Sequence, residues 1–111
     1  MAEPRSPCVY ILASKRNGTL YVGVSSNVIQ RVWQHKSDAV DGFTSRYAVK
    51  ALVYFEMHTT MADAILREQQ IKTWNRAWKL RLIEAANPEW RDLYDDIAAL
   101  MPAPGCPPSR A

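Results

Sequence analysis

The pair Asn17-Gly18, set between two short apolar runs, constrains this chain more than any other feature. Asn-Gly accepts the positive φ that a tight turn between antiparallel strands demands, which makes it the strongest short-range hairpin signal. The run before it, Cys8-Val9-Tyr10-Ile11-Leu12-Ala13, and the run after it, residues 19–24, read as two strands. Tyr10 and Tyr21 then stand on neighbouring strands. Gly23 follows Tyr21 by two residues and points to the same face. A glycine inside a strand leaves that face open to a ligand or to another backbone, whereas two tyrosines on adjacent strands also pack as an ordinary cross-strand pair.

Downstream, the apolar period lengthens. Ser26 or Asn27 caps a helix of about ten residues, with Val28, Ile29, Val32 and Trp33 as its apolar stripe. Residues 38–47 contain Asp-Gly and read as a loop, and residues 50–56 read as a third strand. Thr59 or Thr60 caps a second helix that reaches about Asn75. Two shorter helices are expected near 77–86 and 89–99, the second opened by Pro88. The order β-β-α-β-α-α predicts an α+β domain, a three-stranded sheet covered by helices. One domain over residues 8–100 is expected, with a loose arm at 1–7 and a disordered tail at 101–111 that holds four prolines.

The charge balance is mild, 14 Lys and Arg against 11 Asp and Glu, with a pI of about 9.0. It permits a phosphate partner without demanding one. The two cysteines, Cys8 and Cys106, have neither metal-ligand spacing nor the number for a disulfide framework, and read as free thiols in a reducing compartment. No apolar stretch approaches the ~18 residues that span a bilayer, and the start lacks a hydrophobic leader. A cytoplasmic protein with no membrane partner is the expectation.

Three groups of residues sit where folding alone would not put them. On the helix from Thr60 to Asn75, the stripe of Met61, Ala64, Ile65 and Ile71 includes Glu68, while Asp63, Arg67 and Gln70 take the opposite face. A buried carboxylate costs several kcal/mol unless it is compensated. A basic partner, Lys72 one turn along, a hydrogen-bond network or a metal ion would each compensate it. Asn27, Arg31 and His35 share one side of the first helix and flank its stripe, as a solvated edge or as one wall of a site. Asn87, before Pro88, reads as a helix-terminating turn. Together these residues supply a carboxylate for a divalent metal, an arginine for a phosphate, and hydroxyl or imidazole groups for proton transfer.

In these positions the chain resembles the GIY-YIG nucleases, and within them a subgroup of small single-domain bacterial members. Tyr10 in Cys8-Val9-Tyr10 matches the first motif, and Tyr21-Val22-Gly23 the second. Arg31, ten residues on, His35 one turn later, Glu68 in Leu66-Arg67-Glu68-Gln69-Gln70-Ile71-Lys72, and Asn87 match the remaining motif residues. Gly42-Phe43-Thr44-Ser45-Arg46-Tyr47 and Leu52-Val53-Tyr54-Phe55-Glu56 match the subgroup. Cys8 replaces the motif glycine, Val9 and Val22 replace isoleucines, and Val24, Ser25 and Ser26 stand where some members carry a lysine.

The resemblance implies an antiparallel three-stranded sheet and a metal-dependent endonuclease. Its catalytic residues would be Tyr10, Tyr21, Arg31, His35, Glu68 and Asn87, with one Mg²⁺ or Mn²⁺ on Glu68 and either tyrosine as base. The expected partner is DNA, single-stranded or branched and read with little sequence specificity, in repair or recombination. Gly23, Lys36, Arg46, Lys72, Arg76 and Lys79, with Arg81, are the expected nucleic-acid contacts, made to backbone phosphates. The rival readings are a non-catalytic nucleic-acid-binding module and an interaction protein that uses Trp33, Trp74, Trp78 and Trp90.

Overall fold

The computed structural model describes residues 7–36 and 49–100. Along the chain run β1 (Cys8–Ala13), β2 (Leu20–Ser25), α1 (Val28–Lys36), β3 (Ala51–Met57), α2 (Met61–Thr73), α3 (Arg76–Ala86) and α4 (Tyr94–Leu100). The arm at 1–6, the loop with Arg46 and the proline-rich tail lie outside the described residues. Pro7, counted with the arm by its sequence, accepts a hydrogen bond from the His58 N–H at 2.8 Å and so belongs to the sheet's end.

The strand order is β2-β1-β3, antiparallel throughout. β1 therefore bonds on both edges, and all six of its residues are buried. Alternation divides them between two cores. Cys8, Tyr10 and Leu12 pack with Val28, Ile29 and Val32 of α1 and Ile97 of α4. Val9, Ile11 and Ala13 pack with Ala64 and Ile71 of α2 and Ile83 of α3. Cys8, standing at the motif glycine's place, fits with its side chain wholly inside the first core; burial pushes its thiol up to about 12, so it stays protonated.

The hairpin forms where Asn-Gly predicts it, but through a longer loop. Ser14 N–H bonds Thr19 O at 3.0 Å, and Gly18 N–H bonds Lys15 O at 2.8 Å. Asn17 takes the positive φ, 58°. A Cβ at Gly18 would lie 2.3 Å from Ser14 Oγ, so glycine is required there. Arg76 of α3 caps the loop by donating to the carbonyls of Asn17 and Gly18, at 2.7 Å each.

Three sequence expectations are corrected. Trp33 is 55% exposed, and His35 takes its place in the buried stripe of α1. The stripe runs 28, 29, 32, 35, which the helical period favours over a turn toward 33. Ile65 is exposed on α2, whose inward residues are Ala64, Glu68 and Ile71. The last helix begins at Tyr94, not near 89, and Pro88 lies in a turn. The reason is Asn87. Its amide donates to Val53 O at 3.0 Å and Arg91 O at 2.8 Å, and it accepts from Arg91 N–H at 3.0 Å. These bonds hold residues 87–91 in a non-helical loop against β3.

The same segment covers the outer edge of β3. Val53 is the extra residue where the β1–β3 register shifts between Ile11 and Leu12. Beside it, Leu93 N–H bonds Leu52 O at 2.7 Å, and Leu52 N–H bonds Asp92 Oδ1 at 3.2 Å. Edge groups that would otherwise invite another strand are thereby occupied. Replacing Asn87 by Ala strips partners from the buried Val53 carbonyl and from part-buried backbone groups of Arg91. The expected loss is ~2–3 kcal/mol, read as a lower urea midpoint at unchanged m-value. A midpoint within error of wild type would refute this role.

Candidate functional site

The first core is capped on its β2 side by three rings. Tyr10 comes from β1, Tyr21 from β2 and His35 from α1. The Tyr21 and His35 ring centroids are 5.4 Å apart, and Tyr10 stands 6.3 Å from each. Tyr10 Oη and His35 Nε2 lie 3.5 Å apart. Arg31, one turn before His35 on α1, bonds Gln34 Oε1 through Nη1 at 3.1 Å, and its charge acts on both the Tyr10 phenol and the His35 ring. α1 is aimed this way by its cap: Asn27 Oδ1 accepts from Gln30 N–H at 3.2 Å. Asn27 thus serves the helix, although its spacing puts it on the side of Arg31 and His35.

Gly23 makes the cluster possible. It pairs with Tyr10 across the strands. A Cβ on Gly23 would sit 2.6 Å from both Cζ and Oη of Tyr10. The space that its sequence left open to a ligand or a backbone is filled by the Tyr10 ring. Tyr10 is 1% exposed and has nowhere to retreat.

The electrostatics separate the members. Burial, then the neighbouring Tyr21, pushes the Tyr10 phenol up to about 12, with Arg31 pulling the other way. Tyr10 is held protonated, a donor. His35 is held below its ordinary value, first by burial and then by the Arg31 charge, and so is neutral near pH 7. Tyr21 is the tyrosine that reaches solvent.

Glu68 enters from the other layer, within the buried stripe of α2, with its side chain 11% exposed. Lys72 supplies the basic partner, Nζ to Oε2 at 2.6 Å. Asn87 is elsewhere again, on the β3 edge, with both amide protons spent on backbone carbonyls. The structure thus brings Tyr10, Tyr21, Gly23, Arg31 and His35 together. It sets Glu68 one layer away and Asn87 in the support of β3.

Of the expected phosphate contacts, Lys36 is paired with Asp92, and its ammonium also stands 5.5 Å from the Tyr94 ring centroid. Lys72 holds Glu68, and Arg76 holds the hairpin. Lys79 is half-buried on α3. The sequence did not single out a second charged network, in which Glu56 accepts from Tyr54 Oη at 2.5 Å, from Arg67 Nε at 2.8 Å, and meets His58 Nε2 at 2.7 Å. The Glu56 carboxyl is held low by these three bonds, against its burial. Alternation alone could have found it, since Tyr54, Glu56 and His58 fall two apart.

Among the described residues no three His, Cys, Asp or Glu converge, so a closed zinc-type set is not formed by them. A single carboxylate that keeps some exposure, answered by one largely exposed lysine, fits a hard ion that keeps most of its waters and takes the rest of its ligands from phosphate. Among the described residues, no helix is long and apolar enough to cross a membrane.

Comparisons with known proteins point to one family. A family model described as the GIY-YIG catalytic domain matches residues 6–81. UPF0213 protein SH2523 of Staphylococcus haemolyticus is 38% identical over 76 residues, 68% of this chain and 92% of the relative. A UPF0213 protein of Staphylococcus aureus (strain Mu3) is 40% identical over the same shares. No solved structure matches.

Two outcomes follow from the ring cluster. Gly23→Ala should destabilise the protein by about 1–3 kcal/mol through overpacking against Tyr10, read by urea denaturation; an unchanged midpoint would contradict the contact. For His35, the unfolded chain binds the proton more tightly than the fold does. Stability is therefore full above about pH 6.5 and falls as pH drops through the lowered folded value. In an NMR titration, Arg31→Gln should raise the His35 pKa part of the way to 6.5, since burial is the larger cause. Full restoration, or no change, would reverse that ranking.

Proposed function

The chain belongs to the GIY-YIG family of catalytic domains, and on that premise we propose that it is a metal-dependent endonuclease. It hydrolyses DNA phosphodiester bonds with little sequence preference, on single-stranded or branched DNA, in cytoplasmic repair or recombination. The observation that supports this reading is the convergence of Tyr10, Tyr21, Arg31 and His35 on one face of the sheet. Packing of three rings alone would not need the Arg31 charge beside Tyr10 and His35.

Arg31 binds the non-bridging oxygens of the scissile phosphate through its planar fork. Tyr10, kept protonated, donates to the same group or to His35. A water attacks phosphorus in line with the 3′ oxygen. The new O–P bond forms as the P–O3′ bond breaks. Tyr21 is the base, because it reaches solvent and Tyr10 is held protonated; it takes the water's proton as its own hydroxyl proton passes to neutral His35. The leaving 3′ oxygen is reprotonated from solvent. Glu68 would hold Mg²⁺ or Mn²⁺, which when bound neutralises charge on the phosphate and the leaving oxygen. Asn87 contributes by fixing β3, and Gly23 by seating Tyr10. Lys36, Lys72 and Arg76 each hold an internal acceptor, so a phosphate contact from any of them replaces an existing bond. Lys79 and Arg81 remain the simpler backbone contacts, and Arg46 keeps its proposed role from the sequence.

The test incubates the protein with single-stranded, duplex and branched DNA, in Mg²⁺, Mn²⁺ or chelator. Metal-dependent nicks are expected. Binding without nicks would instead favour the non-catalytic module. Tyr21→Phe should lower cleavage by about 10²–10⁴-fold, the range for loss of a general base, and more than Tyr10→Phe does. Glu68→Gln should abolish metal-dependent cleavage with the fold intact by circular dichroism. Full activity in Glu68→Gln would refute its metal role.

A further inference from the structure

The function proposed above leaves one surface unused. α2 ends at Thr73 and α3 begins at Arg76, and the corner between them carries two tryptophans. Trp74 and Trp78 meet edge to face, 5.9 Å between centroids at 78°. Trp74 is backed by the Arg67 guanidinium, 5.2 Å from its ring centroid, and Arg67 is itself tied to Glu56. Trp78 is 51% exposed. An open groove runs from this pair along α3, lined by Trp74, Trp78, Arg81, Leu82 and Ala85.

The segment that forms the corner is basic, and the next carboxylate along α3, Glu84, is taken by Trp90 Nε1 at 2.9 Å. From residue 69 to residue 83 there are four cations, Lys72, Arg76, Lys79 and Arg81, and no carboxylate. An interface for an apolar helix of another protein would not need that run, and an acidic partner alone would not need an exposed indole face. Flat aromatic faces among cations are what successive bases and phosphates of a single strand require. In a duplex the base faces are already stacked inside. The placement fits the site as well: Trp74 lies two residues beyond Lys72, whose ammonium holds the Glu68 carboxylate. α3 also abuts the hairpin through Arg76.

We infer that the Trp74–Trp78 corner is a stacking platform for unpaired bases of a single-stranded nucleic acid, with Arg81 on the adjoining phosphate. This rests on nucleic acid being the substrate. It adds that the unpaired base, and not the backbone alone, is recognised. Trp78 is the stacking face, and Arg67 and Trp74 hold it in place.

Binding is measured by fluorescence anisotropy in chelator, on a labelled mixed-sequence single strand, the same strand with abasic sites at its centre, and a duplex of equal length. For the wild type, the abasic strand should bind about tenfold more weakly than the intact one, the order expected from losing a stacked base. Trp78→Ala should bind the intact strand about tenfold more weakly, and should respond little to the abasic change. Its duplex affinity should stay within threefold of wild type. Trp78→Phe should recover most of the loss. Equal binding of intact and abasic strands by the wild type would overturn the inference. So would a Trp78→Ala variant that binds as wild type or loses duplex and single strand alike. A change confined to self-association in sedimentation would assign the corner to a protein contact and overturn it too. Cleavage is scored separately with Mg²⁺ and Mn²⁺. Base-dependent binding without nicks leaves the platform standing and removes the nuclease, whereas nicks with unaltered Trp78→Ala binding do the reverse.

Discussion

A strand bonded on both edges and buried on both faces leaves its side chains no freedom of placement. β1 is that strand. Each of its residues belongs to one core or the other, and a slip of one position would exchange Tyr10 for Val9 or Ile11. The position of Tyr10 is therefore as firm as the core itself. Its ring lies across Gly23 because β2 is paired at that register and no other. α1, packed on the same face, brings Arg31 and His35 to a point that β1 has already chosen.

The charged groups follow a second logic, in which ions near the core are answered from within the chain. Glu68 is answered by Lys72, Glu56 by Arg67 and His58, and Lys36 by Asp92. Exposed pairs of this kind contribute little to stability, about 0–1 kcal/mol, but the partly buried ones set which group is available to a ligand. Among the described residues, the hydrogen bond of the Arg31 guanidinium goes to a neutral glutamine and not to a carboxylate. Glu68, by contrast, is already answered by Lys72 one turn along α2.

The strands, the turn and the anomaly of Glu68 were legible in the sequence because each is a local or periodic signal. Asn17-Gly18 marks its own bend, and a carboxylate three and four residues from Ala64, Ile65 and Ile71 announces itself whatever covers it. What was not legible depended on tertiary choices. The helical period favours position 35 over 33 on the α1 stripe, but hydrophobicity favours the tryptophan over the histidine. The fold chooses the histidine because Tyr10 and Tyr21 stand beneath position 35. Pro88 is a fair start for a helix by local rules, but the amide of Asn87 binds Arg91 on both backbone groups and prevents it. The site itself was legible as a set of residues and not as a layout, since nothing local places α1 and α2 on opposite layers.

The strand order has a consequence for synthesis. Of these three strands the central one leaves the ribosome first, and its partner on one side, β2, follows at once through the hairpin. Its other edge, with the donors and acceptors that pair with residues 51–57, stays open until the whole of α1 and residues 37–50 have been made. During that interval the chain presents an apolar strand with an unpaired edge, the kind of surface that joins strands between molecules. Nascent or truncated chains ending before residue 51 should therefore be the aggregation-prone species, and the arrival of β3 the step that makes the polypeptide safe.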